Sequence, residues 1–124
     1  MVTGKFLVLV LQGAFLFDLG NALNCTSCLS AVSWEDCQKA GGVRSCTLED
    51  VNGFHGVLHD GNPNLNQGGP EDEFQCFALH LRMSHPGRKG FSSFAMGCTF
   101  KKTQFCQGWP SGMASVAECR TFNG

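Results

Sequence analysis

The chain contains no isoleucine and no tyrosine, and charged residues make up only 15% of it. With 16 glycines among 124 residues and few long apolar runs beyond its start, it is short of core-building side chains. A domain so composed cannot offset the entropy of chain ordering by burial alone. Motifs are missing too. There is no arginine-rich run with interleaved aromatics, so nucleic-acid binding has no support. There is no HExxH and no nucleophile elbow, and no second CxxC follows Cys25-Thr-Ser-Cys28 at zinc-ribbon spacing. His55 and His59-Asp60 lie in a turn-rich stretch with no adjacent cysteine. Small secreted phospholipases need a histidine beside paired cysteines on a helix, together with a glycine-rich calcium loop. The reading is therefore not an enzyme: no catalytic residue, no metal ligand, no cofactor.

What the chain does have begins with a targeting segment. Lys5 precedes the apolar run Phe6 to Phe17, and Gly20 and Ala22 satisfy the small-x-small rule for signal peptidase. Residues 1–22 are expected to be a signal peptide. The run is too short to span a bilayer, which takes about 20 apolar residues, because Asp18 and Asn21 interrupt it. Residues 23–124 then form one small domain, exported and without a membrane span. All eight cysteines (25, 28, 37, 46, 76, 98, 106, 119) fall within it. An even set in an exported chain reads as a disulfide framework, and four bridges at about 2 to 4 kcal/mol each would supply the stability the core lacks. With all eight paired, none is left as a nucleophile.

Charge is unevenly spread. Leu23 to Gln75 holds eight acidic residues against Lys39 and Arg44, whereas from Cys76 onward six basic residues face Glu118 alone. Either the two halves pair within the fold or one face offers a positive patch to an acidic partner.

Leu23–Leu29 and Val43–Leu48 read as short strands joined by a loop holding Trp34, with Gly41-Gly42 as a turn. Ser33, three residues before Asp36, is a weak signal for a helical turn. The segment 49–73 is dense in turn formers (Asn52-Gly53, Asp60-Gly61, Asn62-Pro63, Gly68-Gly69-Pro70) and reads as a flexible insertion, without fixed structure from about Asp60 to Pro70. In Phe74–Met83, Phe77, Leu79, Leu81 and Met83 alternate with Cys76, His80 and Arg82. Phe91–Phe100 repeats the pattern with Phe94, Met96, Cys98 and Phe100. Together they predict a long hairpin with a cationic tip, Ser84 to Gly90. Asn24-Cys25-Thr26 is an N-glycosylation sequon, less efficient for its middle cysteine.

The opening Leu23-Asn-Cys25-Thr-Ser-Cys28, the single cysteines at 37, 46 and 76, and Gly97-Cys98-Thr-Phe-Lys-Lys-Thr-Gln-Phe-Cys106 resemble the LU-domain proteins. This three-finger family includes protectin, the urokinase-receptor modules and snake-neurotoxin relatives. Insect members often share the Gly-Cys spacing and a lengthened middle region. Counting alone allows 105 pairings of eight cysteines. The resemblance implies Cys25–Cys76, Cys28–Cys37, Cys46–Cys98 and Cys106–Cys119, and an all-β, disulfide-rich three-finger domain. Finger one would run from about Cys25 to Cys46, finger two would be the Phe74–Phe100 hairpin, and finger three the Cys106–Cys119 loop.

The family's closing two cysteines are missing, since Cys119 is followed only by Arg-Thr-Phe-Asn-Gly. The C-terminal end of the knot is therefore expected to be loose. Nothing after Cys106 resembles a lipid-anchor signal, so the reading is a secreted module, lipid-anchored at the cell surface only in a longer form. The resemblance implies a ligand or modulator of an extracellular or membrane-receptor protein, with His85, Arg88 and Lys89 at the finger-two tip as contacts. The alternative role is structural or adhesive, in a cell-surface assembly.

Overall fold

The computed structural model describes residues 22–85, 88–109 and 114–124; the side chains of residues 84, 85, 88, 89 and 114 are outside that description. The expected signal peptide, apart from Ala22, also lies outside it. The chain forms strand β1 (Asn24–Ser30), helix α1 (Trp34–Ala40), β2 (Gly42–Ser45), helix α2 (Leu48–Leu58), β3 (Phe74–His85), β4 (Arg88–Phe100), a 3₁₀ turn (Lys101–Thr103) and β5 (Ala114–Phe122). The strands make one antiparallel five-stranded sheet in the order β2-β1-β4-β3-β5. It is a small, mostly β fold held by four bridges.

The centre of the sheet is the expected hairpin. β3 and β4 pair from Phe74↔Phe100 to Met83↔Phe91, with an irregularity before His85↔Arg88. The period-2 alternation of β3 divides its side chains between two faces, as expected. On one face Phe77 and Leu79 pack with Leu65 and Phe105. On the other Ala78 packs with Phe94, Met96 and Cys37. A third cluster is made of the bridges themselves, with Cys25, Cys46 and Cys76 covered by Leu23, Phe74, Cys98 and Phe122.

The bridges join Cys25 to Cys76, Cys28 to Cys37, Cys46 to Cys98 and Cys106 to Cys119, leaving no free cysteine. This connectivity coincides with the one implied by the LU-domain resemblance. The first and third lie side by side, with Cys25 Sγ 3.4 Å from Cys46 Sγ. Neither sulfur carries a proton, so the contact is packing and not a hydrogen bond.

Three expectations are corrected. The loop between β1 and β2 carries α1. Ser33 Oγ accepts the Asp36 N–H at 3.0 Å, the faint capping signal in the sequence, and Cys28–Cys37 ties the helix to β1. β2 stops at Ser45, because Thr47 caps the next helix.

The segment 49–73, read from the sequence as a flexible insertion, carries a helix and a hydrogen-bonded loop. Its first half is α2, whose cap Thr47 accepts the Asp50 N–H at 3.1 Å and whose stripe Val51, Phe54/His55, Leu58 turns inward. Its second half is held by side chains that stand in for backbone partners. Asn52 donates to Gly68 O at 3.0 Å and accepts from Gly68 N at 2.8 Å. Asn62, fully buried, donates to Gln107 O at 2.9 Å. Leu65, 1% exposed, is pressed into the Phe77–Phe105 cluster.

Nor is the C-terminal end loose. Thr121 and Phe122 pair with Phe77 and Cys76, and Phe122 packs over the knot. A strand ladder and an aromatic ring hold this end of the chain without a fifth bridge.

Candidate functional site

The register places His85 opposite Arg88 at the far end of the central hairpin, so the backbone puts the expected contact residues His85, Arg88 and Lys89 at its tip. Their side chains lie outside the described residues. Asn24 begins β1 and is exposed. Its Oδ1 accepts from Ser45 Oγ at 2.9 Å, while the sequon's middle residue, Cys25, is buried and bridged.

A second feature had no signal in the sequence. β1 pairs with β4 only from Cys28 to Ser30; from Asn24 to Ser27 it pairs with β2 instead. The sheet therefore opens beneath α2, leaving a cleft of about 510 Å³. Leu29, Val51, Phe54 and Phe77 supply apolar lining, and the β4 stretch Met96, Gly97 and Cys98 also borders it. A side chain at Gly97 would bring a Cβ to 3.1 Å from the Phe77 ring, so the ring's position across β4 depends on that glycine. Two charged side chains, Arg44 and Asp50, line the cleft, and both are exposed.

Three other groups could suggest chemistry. His55 sits on α2 with no exposed surface, its Nδ1 2.8 Å from Asn66 O and its Nε2 2.8 Å from Thr99 Oγ1. A carbonyl only accepts, so Nδ1 carries the proton and the bare Nε2 accepts from the Thr99 hydroxyl. Burial holds the His55 pKa below the ordinary histidine value. The bond to Asn66 partly opposes that effect, and nearby Lys102 adds to it. A base beside a hydroxyl resembles an activated nucleophile, but Thr99 is likewise fully buried and neither residue lines the cleft. Their geometry joins α2, the following loop and β4.

The sulfurs of Cys25, Cys46 and Cys98 lie within 4.8 Å of one another. All three are consumed in bridges, so none offers the thiolate a metal needs. Finally, Trp34 meets Phe94 edge-on at 5.2 Å and donates to Glu118 Oε2 at 3.2 Å, while His80 stacks on Phe94 at 4.0 Å. His80 Nε2 is buried there without a partner.

The uneven charge is partly resolved inside the fold. Lys101 reaches Glu73 at 3.0 Å, and Lys102 reaches Asp72 at 2.9 Å. The Gly69 N–H and then Lys102 hold the Asp72 carboxyl below its usual range.

Comparison of the chain with protein-family models, with curated proteins and with solved structures gives no match. Among the described residues no helix is long and apolar enough to cross a membrane. Four disulfides are consistent with an extracellular protein.

Proposed function

We propose that the chain is a secreted three-finger binding module, a ligand or modulator of a cell-surface receptor or channel. The observation that carries this reading is the central hairpin, the longest element of a sheet whose base is cross-linked by two adjacent bridges. A rigid sheet that presents a short connection is the usual way a small extracellular domain displays contact residues. The strand order, with β1 and β2 to one side of the hairpin and β5 to the other, is what three fingers laid side by side would give. Arg88 and Lys89, at the tip, supply the positive charge that would steer an acidic surface toward it.

The test is saturable binding of the labelled, fully oxidised protein to a panel of cells each displaying one receptor or channel ectodomain. The expected result is a partner whose binding the double variant R88E/K89E weakens while the disulfide map and amide spectrum stay unchanged. Absence of saturable binding across the panel, or full binding by the variant, would overturn the assignment.

A further inference from the structure

The cleft between the sheet and α2 is distinct from the hairpin tip and independent of the reading above. Its size lies within the few hundred to a thousand Å³ typical of small-molecule sites. Its lining is mainly apolar, with a small number of polar groups, which is also what such sites show. Leu29, on its wall, is 71% exposed although it stands on the same face of β1 as buried Cys25. A large apolar side chain left uncovered beside an open apolar cleft is a surface that an apolar ligand would cover.

The polar part of the lining narrows the ligand class. Arg44 and Asp50 are of opposite sign, and neither belongs to an ion pair among the described residues. An anionic ligand alone would meet Asp50 unfavourably, and a cationic one Arg44. A ligand carrying both charges satisfies both. We infer that the cleft binds a single-chain zwitterionic amphiphile of the lysophosphatidylcholine kind. Its chain lies against Leu29 and Phe54 over the buried Val51 and Phe77, its phosphate faces Arg44 and its ammonium faces Asp50.

The experiment titrates the oxidised protein with 1-palmitoyl-lysophosphatidylcholine below its micellar concentration, reading amide chemical shifts and heat. Palmitate and glycerophosphocholine serve as chain-only and head-only comparisons. The expected result is one saturable site, with shifts gathered at Ser27–Leu29, Val51, Phe54 and Met96–Cys98, tighter than for either comparison. Ser27, two residues from Leu29 on the same face, lies opposite Gly42, so Ser27→Phe fills the cleft and should abolish that binding.

The surface variant R44Q/D50N leaves the apolar wall intact. It should lose the preference for lysophosphatidylcholine over palmitate by about tenfold, the worth of one charged hydrogen bond from Arg44 to the phosphate, while the quaternary ammonium meets Asp50 by charge alone. No saturable binding by protein with an intact disulfide map would overturn the inference. Undiminished binding by folded S27F, or palmitate bound as tightly as the zwitterion, would do the same.

Discussion

The imidazole of His55 and the hydroxyl of Thr99, 44 residues apart, are joined at 2.8 Å with no solvent between them. Through this bond and the one to Asn66, a single neutral side chain links helix, loop and central strand. Phe100 closes the site edge-on at 5.4 Å.

Acid should therefore weaken the fold through His55. Its pKa is lowered in the folded state, so the unfolded chain takes up the proton first as pH falls. The stability this residue contributes is present above its unfolded value of about 6.5 and is lost as pH falls through the lowered folded value. The charged neighbours are Lys102 and its partner Asp72, and Lys102 acts in the same direction. Denaturant unfolding at pH 7.5 and at successive steps down to pH 5, with bridges intact, should show a fall of up to about 1.4 kcal/mol per pH unit. The variant H55Q should flatten that slope and cost about 1 to 3 kcal/mol at pH 7.5, since buried polar partners are left unmatched. An equal slope in H55Q would assign the acid sensitivity elsewhere. Asp72, whose pKa is also lowered, acts in a separate window: its contribution is present above about 3.8 and lost below it.

Asn52 clamps the loop after α2 by bonding both backbone groups of Gly68. Asn52→Ala removes two bonds at a half-buried site and should cost about 1 to 3 kcal/mol. Hydrogen exchange would locate the effect. Protection at Gly68 and its neighbours should fall, while amides of the β3–β4 ladder keep theirs. Uniform loss across the sheet would mean the clamp supports the whole fold and not the loop.

The loop also shows where sequence reading stopped. The central hairpin was legible because β3 alternates strictly, and its register delivers Phe77 and Leu79 to one cluster and Ala78 to the other. The segment 49–73 was misread because asparagine and glycine mark turns on average. Here Asn52-Gly53 lies inside a helix, and Asn62 supplies a buried hydrogen bond, so the same residues give order. The helix had a signal in Thr47 followed by Asp50 and in Val51, His55 and Leu58 on one face. The cleft had none. It depends on β1 leaving β4 for β2 at Cys28, a choice of partner made by tertiary packing and not by local pattern.

The bridges should differ in weight. Cys25–Cys76 closes a separation of 51 residues and Cys28–Cys37 one of 9. In the chain-entropy account, removing the longer one costs about 4 kcal/mol and the shorter about 3. The variant C28A/C37A should therefore fold with α1 frayed, seen as loss of exchange protection at the amides of position 37 and Gly41. By contrast, C25A/C76A should fail to reach the native state or unfold at a much lower temperature. A more severe defect in C28A/C37A would show that tethering α1 outweighs loop closure.

The sharpest contrast lies in two adjacent glycines. Gly41 ends α1, its N–H bonded to Cys37 O at 3.0 Å, and its backbone is extended, so nothing in its dihedrals requires glycine. What requires it is space: an added Cβ would collide with Ser27 O and with Cys28 Cβ, both held by β1. Neither can move freely, because Ser27 is in the β1–β2 ladder and Cys28 is bridged. Gly42, the next residue, has nothing within 4 Å of the corresponding position. Gly41→Ala should thus cost on the order of 2 to 4 kcal/mol, at the severe end for overpacking, and Gly42→Ala should fall within about 0.5 kcal/mol of wild type. Thermal unfolding of the two purified variants, beside their yields of correctly bridged protein, reads the difference directly. Equal stabilities would mean that α1 is not seated against β1 as described, and the position of the Cys28–Cys37 bridge would have to be revised with it.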